Sequence, residues 1–326
     1  MKNILKYIIL LSIILGIFSC KKDEEENDDS RLPIPTVQRT PNLNPEVVGY
    51  LPSYGMWNID NIDFSRLTQV LYFSLTPNTD GSLSIHSSAV SNINKIKTAI
   101  GNNDVDIIIS IGGASQSQNF PEMASTKAKR TKFINALKDF CLDNNLRGAD
   151  IDWEFPNNAT ELKNCTSLIF EMSLVFNDNN LLITSAQRAN KNDLEDEALK
   201  YLDQVHVMAY DNGFAHSTYD YAVSCVNHFL NRGVPRSKIV LGLPFYGRTS
   251  TGGENTYRAI HNAHNTKPED DVADIYYFNG PDMISKKTKY AITEALMGVM
   301  IWEISQDTND DSSLLKAIDD TKNSPL

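Results

Sequence analysis

Cysteine is scarce in this chain, with four in 326 residues. Cys20 sits in an N-terminal leader. The remaining Cys141, Cys165 and Cys225 are odd in number, which excludes a fully paired disulfide framework. Cys141 and Cys225 fall in helical patterns and read as buried thiols. No Cys-x-x-Cys or His-x-x-x-His spacing occurs, so nothing points to zinc. The Gly112-Gly113 pair opens no Gly-x-Gly-x-x-Gly, so a dinucleotide fingerprint is absent. Positive charge is in short supply. Thirty Lys and Arg stand against 41 Asp and Glu, for a net charge of −11. That balance argues against nucleic acid, whose phosphates need a basic surface. Part of it is local, since Lys21 to Asp29 holds two lysines and six acids. The apolar run from Tyr7 to Phe18 is twelve residues long, too short for a comfortable membrane span.

What is present begins with that leader. Lys2 and Lys6 precede the run, as in a signal-peptide core. The run ends in Ile17-Phe18-Ser19-Cys20, which resembles a bacterial lipoprotein cleavage box. The resemblance implies a signal peptide over 1–19, lipidation of Cys20 and an outer-membrane lipoprotein. An ordinary secretory signal with a coincidental cysteine is the alternative. The acidic stretch after Cys20 is similar to tethers that carry some bacterial lipoproteins to the cell surface. Residues 20–45 read as a linker stiffened by Pro33, Pro35, Pro41 and Pro45.

From residue 46 the pattern alternates. Apolar strand-like runs lie at 47–51, 69–75, 106–111, 148–155, 181–185, 205–210, 239–246 and 298–302. Helical patterns lie between most of them, at 88–100, 126–143, 160–176, 219–232 and 283–295, with a last one at 312–320. Near-continuous apolar strands alternating with helices predict a parallel sheet covered by helices. Eight repeats predict an α/β fold of the (β/α)8 TIM-barrel type over 46–326.

The fourth run carries Asp150, Asp152 and Glu154 at every second position. Alternate side chains on a strand share a face, so the three acids form one row with neighbours roughly 7 Å apart. Crowded, partly dehydrated carboxylates cannot all ionise freely, so one is expected to keep a proton near neutral pH. Such a group suits general acid catalysis. A wet amphipathic face and a carboxylate metal site are the competing readings. In a barrel of this kind the chemistry lies at the C-terminal strand ends, where Glu154 falls.

Several strand ends together resemble glycoside hydrolase family 18, the chitinase-like barrels. The fourth run reads Arg147-Gly148-Ala149-Asp150-Ile151-Asp152-Trp153-Glu154 against the family's Asp-Gly-x-Asp-x-Asp-x-Glu. The third ends Ser110-Ile111-Gly112-Gly113, the sixth Met208-Ala209-Tyr210-Asp211, and the eighth Ile301-Trp302-Glu303. The first opens Gly49-Tyr50, and the seventh runs from Lys238 through Gly247 to Arg248. The resemblance implies retaining hydrolysis of β-1,4-linked N-acetylglucosamine glycans, with the substrate's acetamido group as nucleophile and no cofactor or metal. It implies that Glu154 is acid and then base, that Asp152 orients the acetamide, and that Asp150 shares a proton with Asp152. Tyr50 and Ser110 would support Asp150. Tyr210 would donate to the acetamido oxygen, Asp211 would bind sugar hydroxyls, and Trp302 would floor the site. Met208 and Gly113 complete the expected substrate side. Bland alternatives stand beside these: a loop cap for Asp211, barrel filling for Tyr50, Ser110 and Trp302, a structural salt bridge for Arg248, and loop packing for Trp57.

Two departures carry expectations. Arg147 replaces the family's first acid, at the buried start of the strand, and is expected to act structurally or to form an ion pair. Residues 249–275 are too few for the small α+β domain of many chitinases, so a shallow, open cleft is expected. Three tryptophans and no visible binding module point to soluble oligosaccharides or glycan chains. A chitinase-like hydrolase leads. An endo-β-N-acetylglucosaminidase cutting the chitobiose core of N-glycans and a non-catalytic glycan-binding lipoprotein are the alternatives.

Overall fold

The computed structural model describes residues 45–324. The expected signal peptide, the lipidation site Cys20 and nearly all of the linker lie outside the described residues. Among the described residues, no helix is long and apolar enough to cross a membrane.

Eight parallel strands close on themselves. They are Glu46–Pro52, Gln69–Pro77, Asp106–Gly112, Gly148–Asp152, Leu182–Arg188, Gln204–Met208, Ile239–Pro244 and Gly298–Trp302. Each pairs with the next, and the first pairs with both the second and the eighth. The predicted (β/α)8 barrel is the fold. Val, Ile and Leu dominate the strands because both faces are buried. In the first strand Val47 and Leu51 face the helices while Val48 and Tyr50 face the axis. The inner layer continues with Leu71, Phe73, Ile108, Leu182, Val240 and Met300.

The helices cover the outside. Thr126, Asn158, Thr218 and Ser313 precede Lys127–Asp143, Ala159–Asp178, Tyr219–Asn231 and Leu314–Asn323. Each side chain accepts the backbone N–H three residues on, a cap worth about 1 kcal/mol. Cys141, Cys165 and Cys225 are buried, unpaired thiols.

The structure refines two expectations. The fourth strand stops at Asp152 instead of running to Phe155. There the Asp152 carbonyl accepts from the Gly113 amide at 2.8 Å, and the chain leaves the sheet. The segment after the seventh strand is also more ordered than its Gly, Asn and Thr content implies. Strands Tyr246–Thr249, Glu254–Thr256, Val272–Ala273 and Tyr276–Tyr277 form a small antiparallel sheet, and Tyr257–His264 is helical. These strands span two to four residues, too short for hydrophobic period to reveal.

Arg147 stays at the far end of the barrel. It pairs with Asp106 at 3.4 Å and donates to the carbonyl of Asn180. Both expected roles, structural support and an ion pair, describe it there.

Candidate active site

The alternation of the fourth strand sorts its residues. Ala149, Ile151 and Trp153 pack outward, Trp153 stacking on Phe120 with centroids 5.1 Å apart. Asp150 and Asp152 point inward, and both are buried. Glu154 lies two residues past the strand end, partly exposed. The three acids therefore rise from barrel core to rim.

Asp150 is held by hydroxyls from three other strands. Ser110 donates to Oδ2 at 2.9 Å, Tyr50 to Oδ2 at 3.1 Å, and Thr184 to Oδ1 at 2.7 Å. Burial raises its pKa to about 6, against the lowering effect of these donors. Tyr50 also lies 2.9 Å from His206 Nδ1, and His206 Nε2 lies 2.9 Å from Gln204 Oε1. Burial drives the His206 pKa down to about 3, so the ring is neutral.

Asp152 turns the other way. Its carboxyl interacts with that of Glu154, and the charge of Asp150 acts on it as well. With three hydroxyls around it, Asp150 already has the donors it needs. Asp152 Oδ1 is buried and has no hydrogen-bond partner among the described residues. Burial raises the Asp152 pKa well above the ordinary carboxylate range, with the charges of Glu154 and Asp150 adding to it. Burial likewise raises Glu154 to about 7. The pair retains a proton near neutrality because two dehydrated carboxylates in contact cannot both be charged.

The floor is aromatic. Trp302 meets Phe73 and Tyr50 edge-on, with centroids 5.0 and 5.6 Å away. Met208 and Trp302 are partly buried against the inner cluster. Tyr210 is buried there, and among the described residues its hydroxyl reaches only the Met300 sulfur at 3.9 Å, a weak acceptor. Gly113 has φ +103°, and a Cβ there would stand 2.2 Å from the Phe73 ring. Only glycine lets that ring close under the site. Asp211, at φ +65°, accepts from Tyr246 at 2.5 Å and Arg248 Nη1 at 3.0 Å. Arg248 also holds Glu254 at 2.7 Å. Trp57 is 71% exposed, with the Arg258 guanidinium 4.9 Å from its ring.

The structure thus gathers Tyr50, Ser110, Asp150, Asp152 and Glu154 into one column, with Tyr210, Met208 and Trp302 around its upper end. Asp211 belongs to a neighbouring cluster with Tyr246 and Arg248. Sequence reasoning missed Thr184, His206 and Ser117. Ser117 donates to the carbonyls of Gly113 and Asp152 at 2.9 and 3.1 Å and accepts the Glu154 amide at 2.9 Å. It fixes the backbone on which the outermost acid sits. Thr184 and His206 had one available signal, a polar residue inside an apolar strand. Ser117 had none.

Among the described residues no cluster of three His, Cys, Asp or Glu side chains is arranged to hold a metal. The column can do proton transfer, and its unpartnered Asp152 oxygen can accept one N–H.

Residues 46–307 match the family described as glycosyl hydrolases family 18. Chitinase 1 of Aphanocladium album is 30% identical over 273 residues, which cover 66% of this chain and 64% of the fungal protein. The chain thus spans less than two thirds of such curated relatives. The structure of a chitinase from the chitin utilization locus of Flavobacterium johnsoniae superposes with a TM-score of 0.78 at 27% identity, over 86% of this chain and 94% of that one. A chitinase-like agglutinin from Robinia pseudoacacia gives 0.76 at 25% identity, over 84% and 99%.

Proposed function

The chain belongs to glycosyl hydrolases family 18, and from that premise we propose that it hydrolyses β-1,4-linked N-acetylglucosamine glycans with retention of configuration. The observation that carries the proposal is the Asp152–Glu154 pair: a rim carboxyl with its pKa raised to about 7 beside a buried carboxylate with one oxygen unpartnered. Glu154 protonates the glycosidic oxygen as the bond to the leaving sugar breaks. The substrate's acetamido oxygen attacks the anomeric carbon and closes an oxazolinium ring, an intramolecular attack with a large effective concentration. Asp152 Oδ1 accepts the acetamido N–H and stabilises the positive charge. Tyr210, poorly satisfied by sulfur, donates to the acetamido oxygen. Trp302 offers an indole face to the C–H side of the sugar. Glu154, now ionised, then takes a proton from water as the ring opens.

Mass spectrometry of products from defined N-acetylglucosamine oligomers and from a high-mannose glycoprotein tests this. Cleaved oligomers are expected. Release of N-glycan alone would favour an endo-β-N-acetylglucosaminidase, and binding without turnover a lectin. Turnover of glycosides lacking the 2-acetamido group would sink the mechanism.

We also propose that the mature protein is a lipoprotein anchored through Cys20 in a bacterial outer membrane and displayed at the cell surface. The Phe18-Ser19-Cys20 junction and the acidic tether support this. Labelled fatty acid should enter the protein but not a Cys20→Ser variant. Equal labelling of both would refute the anchor.

A further inference from the structure

Arg188 is the last residue of the fifth barrel strand and belongs to the same inward row as Thr184. Register fixes its surroundings. Thr184 lies opposite Asp150, and Arg188 lies opposite Met208. The guanidinium lies over the ring of Phe155, the residue after Glu154, so the cation reaches the rim where the acid sits. They sense each other: Arg188 pulls the burial-raised Glu154 carboxyl partly back down. None of the roles assigned above uses Arg188.

The side chain is braced from two directions. Nε donates to Asp193 Oδ2 at 2.8 Å, and Nη2 donates to Asp193 Oδ1. The Asp193 side chain is only 4% exposed. The guanidinium carbon lies 3.9 Å from the ring centroid of Phe155, the residue after Glu154. A free arginine would lose rotamer entropy on meeting a ligand, whereas this planar fork is fixed beforehand. A purely structural ion pair has no need of exposure, yet 42% of the Arg188 side chain is open to solvent. Among the described residues, Nη1 has no hydrogen-bond partner. A rigid donor edge thus stands beside the proton donor. Because Asp193 neutralises the cation, the edge suits a neutral hydroxyl-bearing group better than an anion.

We infer that Arg188, braced by Asp193 and Phe155, binds the departing sugar, with Nη1 donating to a hydroxyl or acetamido oxygen of the leaving N-acetylglucosamine residue. The inference rests on the hydrolase reading above. It makes Arg188 a specificity residue for sugar leaving groups, because holding that sugar aims the glycosidic oxygen at Glu154.

The test compares kcat/KM for the N-acetylglucosamine tetramer with kcat/KM for a p-nitrophenyl glycoside of chitobiose, whose leaving group carries no hydroxyls to hold. Arg188→Ala should lower the tetramer value about 10- to 100-fold, the scale of one lost charged hydrogen bond. The loss on the aryl glycoside should be at least about tenfold smaller. Arg188→Ala leaves Asp193 buried without its partner, so a second variant guards against misfolding. R188Q/D193N replaces the ion pair with two amides and should show the same selective loss at an unchanged Tm. Equal losses on both substrates in a variant that keeps its Tm would overturn the inference. If the unaltered protein turns over neither substrate, the hydrolase reading falls first and this assignment with it.

Discussion

Glu154→Gln is expected to lower kcat on N-acetylglucosamine oligomers by at least about 10³-fold, at the upper end of what general acid–base groups contribute. The amide keeps the size of the carboxyl and can still accept from Asp152, so the site should keep its shape. It has no proton to give to the glycosidic oxygen and cannot later take one from water, so both halves of the reaction fail. Calorimetric titration with the tetramer should therefore give a Kd within a few-fold of the unaltered protein. Loss of binding together with turnover would assign Glu154 to substrate binding instead. The pH profile is a second reading of the same residue. As the proposed acid, Glu154 must be protonated in the free enzyme, and its pKa is raised to about 7, first by burial. Activity should therefore persist through mildly acidic pH and decline as pH rises through about 7. A decline centred near the ordinary glutamate value, around 4, would mean that another group donates the proton.

Asp152→Asn is expected to cost about 10²- to 10³-fold in kcat, the scale seen when one preorganised electrostatic partner of a transition state is removed. In the proposed mechanism the acetamide needs an acceptor at the unpartnered Oδ1 and a negative charge near the forming oxazolinium. Asparagine supplies neither reliably, since its amide can present N–H where the substrate also brings N–H. Stability should not follow activity. Burial penalises the ionised form of Asp152 and raises its pKa well above the carboxylate range. A raised folded-state pKa means that the folded protein loses stability, relative to acid pH, as pH rises through it. A neutral amide escapes that penalty. The midpoint of urea unfolding near neutral pH should be equal or higher for the variant. A midpoint that falls along with kcat would point to damaged packing and away from lost chemistry.

Much of the barrel was legible because its signals are local. Runs such as Ile107–Ile109 and Ile239–Leu243 are apolar throughout, and each lies next to a helical pattern. The acid row was legible because period two is a property of one strand. Legibility ended where function depends on residues distant in sequence. Asp150 takes its hydroxyls from Tyr50, Ser110 and Thr184, which are 100, 40 and 34 residues away. Tyr50 and Ser110 were found only through family resemblance. Thr184 lies within Leu182–Arg188, where its hydroxyl was the one signal and nothing local names its partner. The end of the fourth strand was misplaced for a similar reason. It is set by the Gly113 amide, just past the end of a different strand, and nothing between Gly148 and Phe155 announces it. The three donors around Asp150 and the interaction of Asp152 with Glu154 are likewise facts that only three dimensions supply.

The four strands that cradle Asp150 leave no tolerance in how they are aligned. Sliding any of them by one residue would turn its hydroxyl or carboxylate away from the axis and bring an aliphatic neighbour in. A compact barrel with slipped strands could bury as much oil and show the same circular dichroism, yet it would be inert. Counting catalytically competent molecules with a tight mechanism-based ligand, against total protein after refolding, would therefore serve as a census of correctly aligned barrels, which spectroscopy of secondary structure cannot provide.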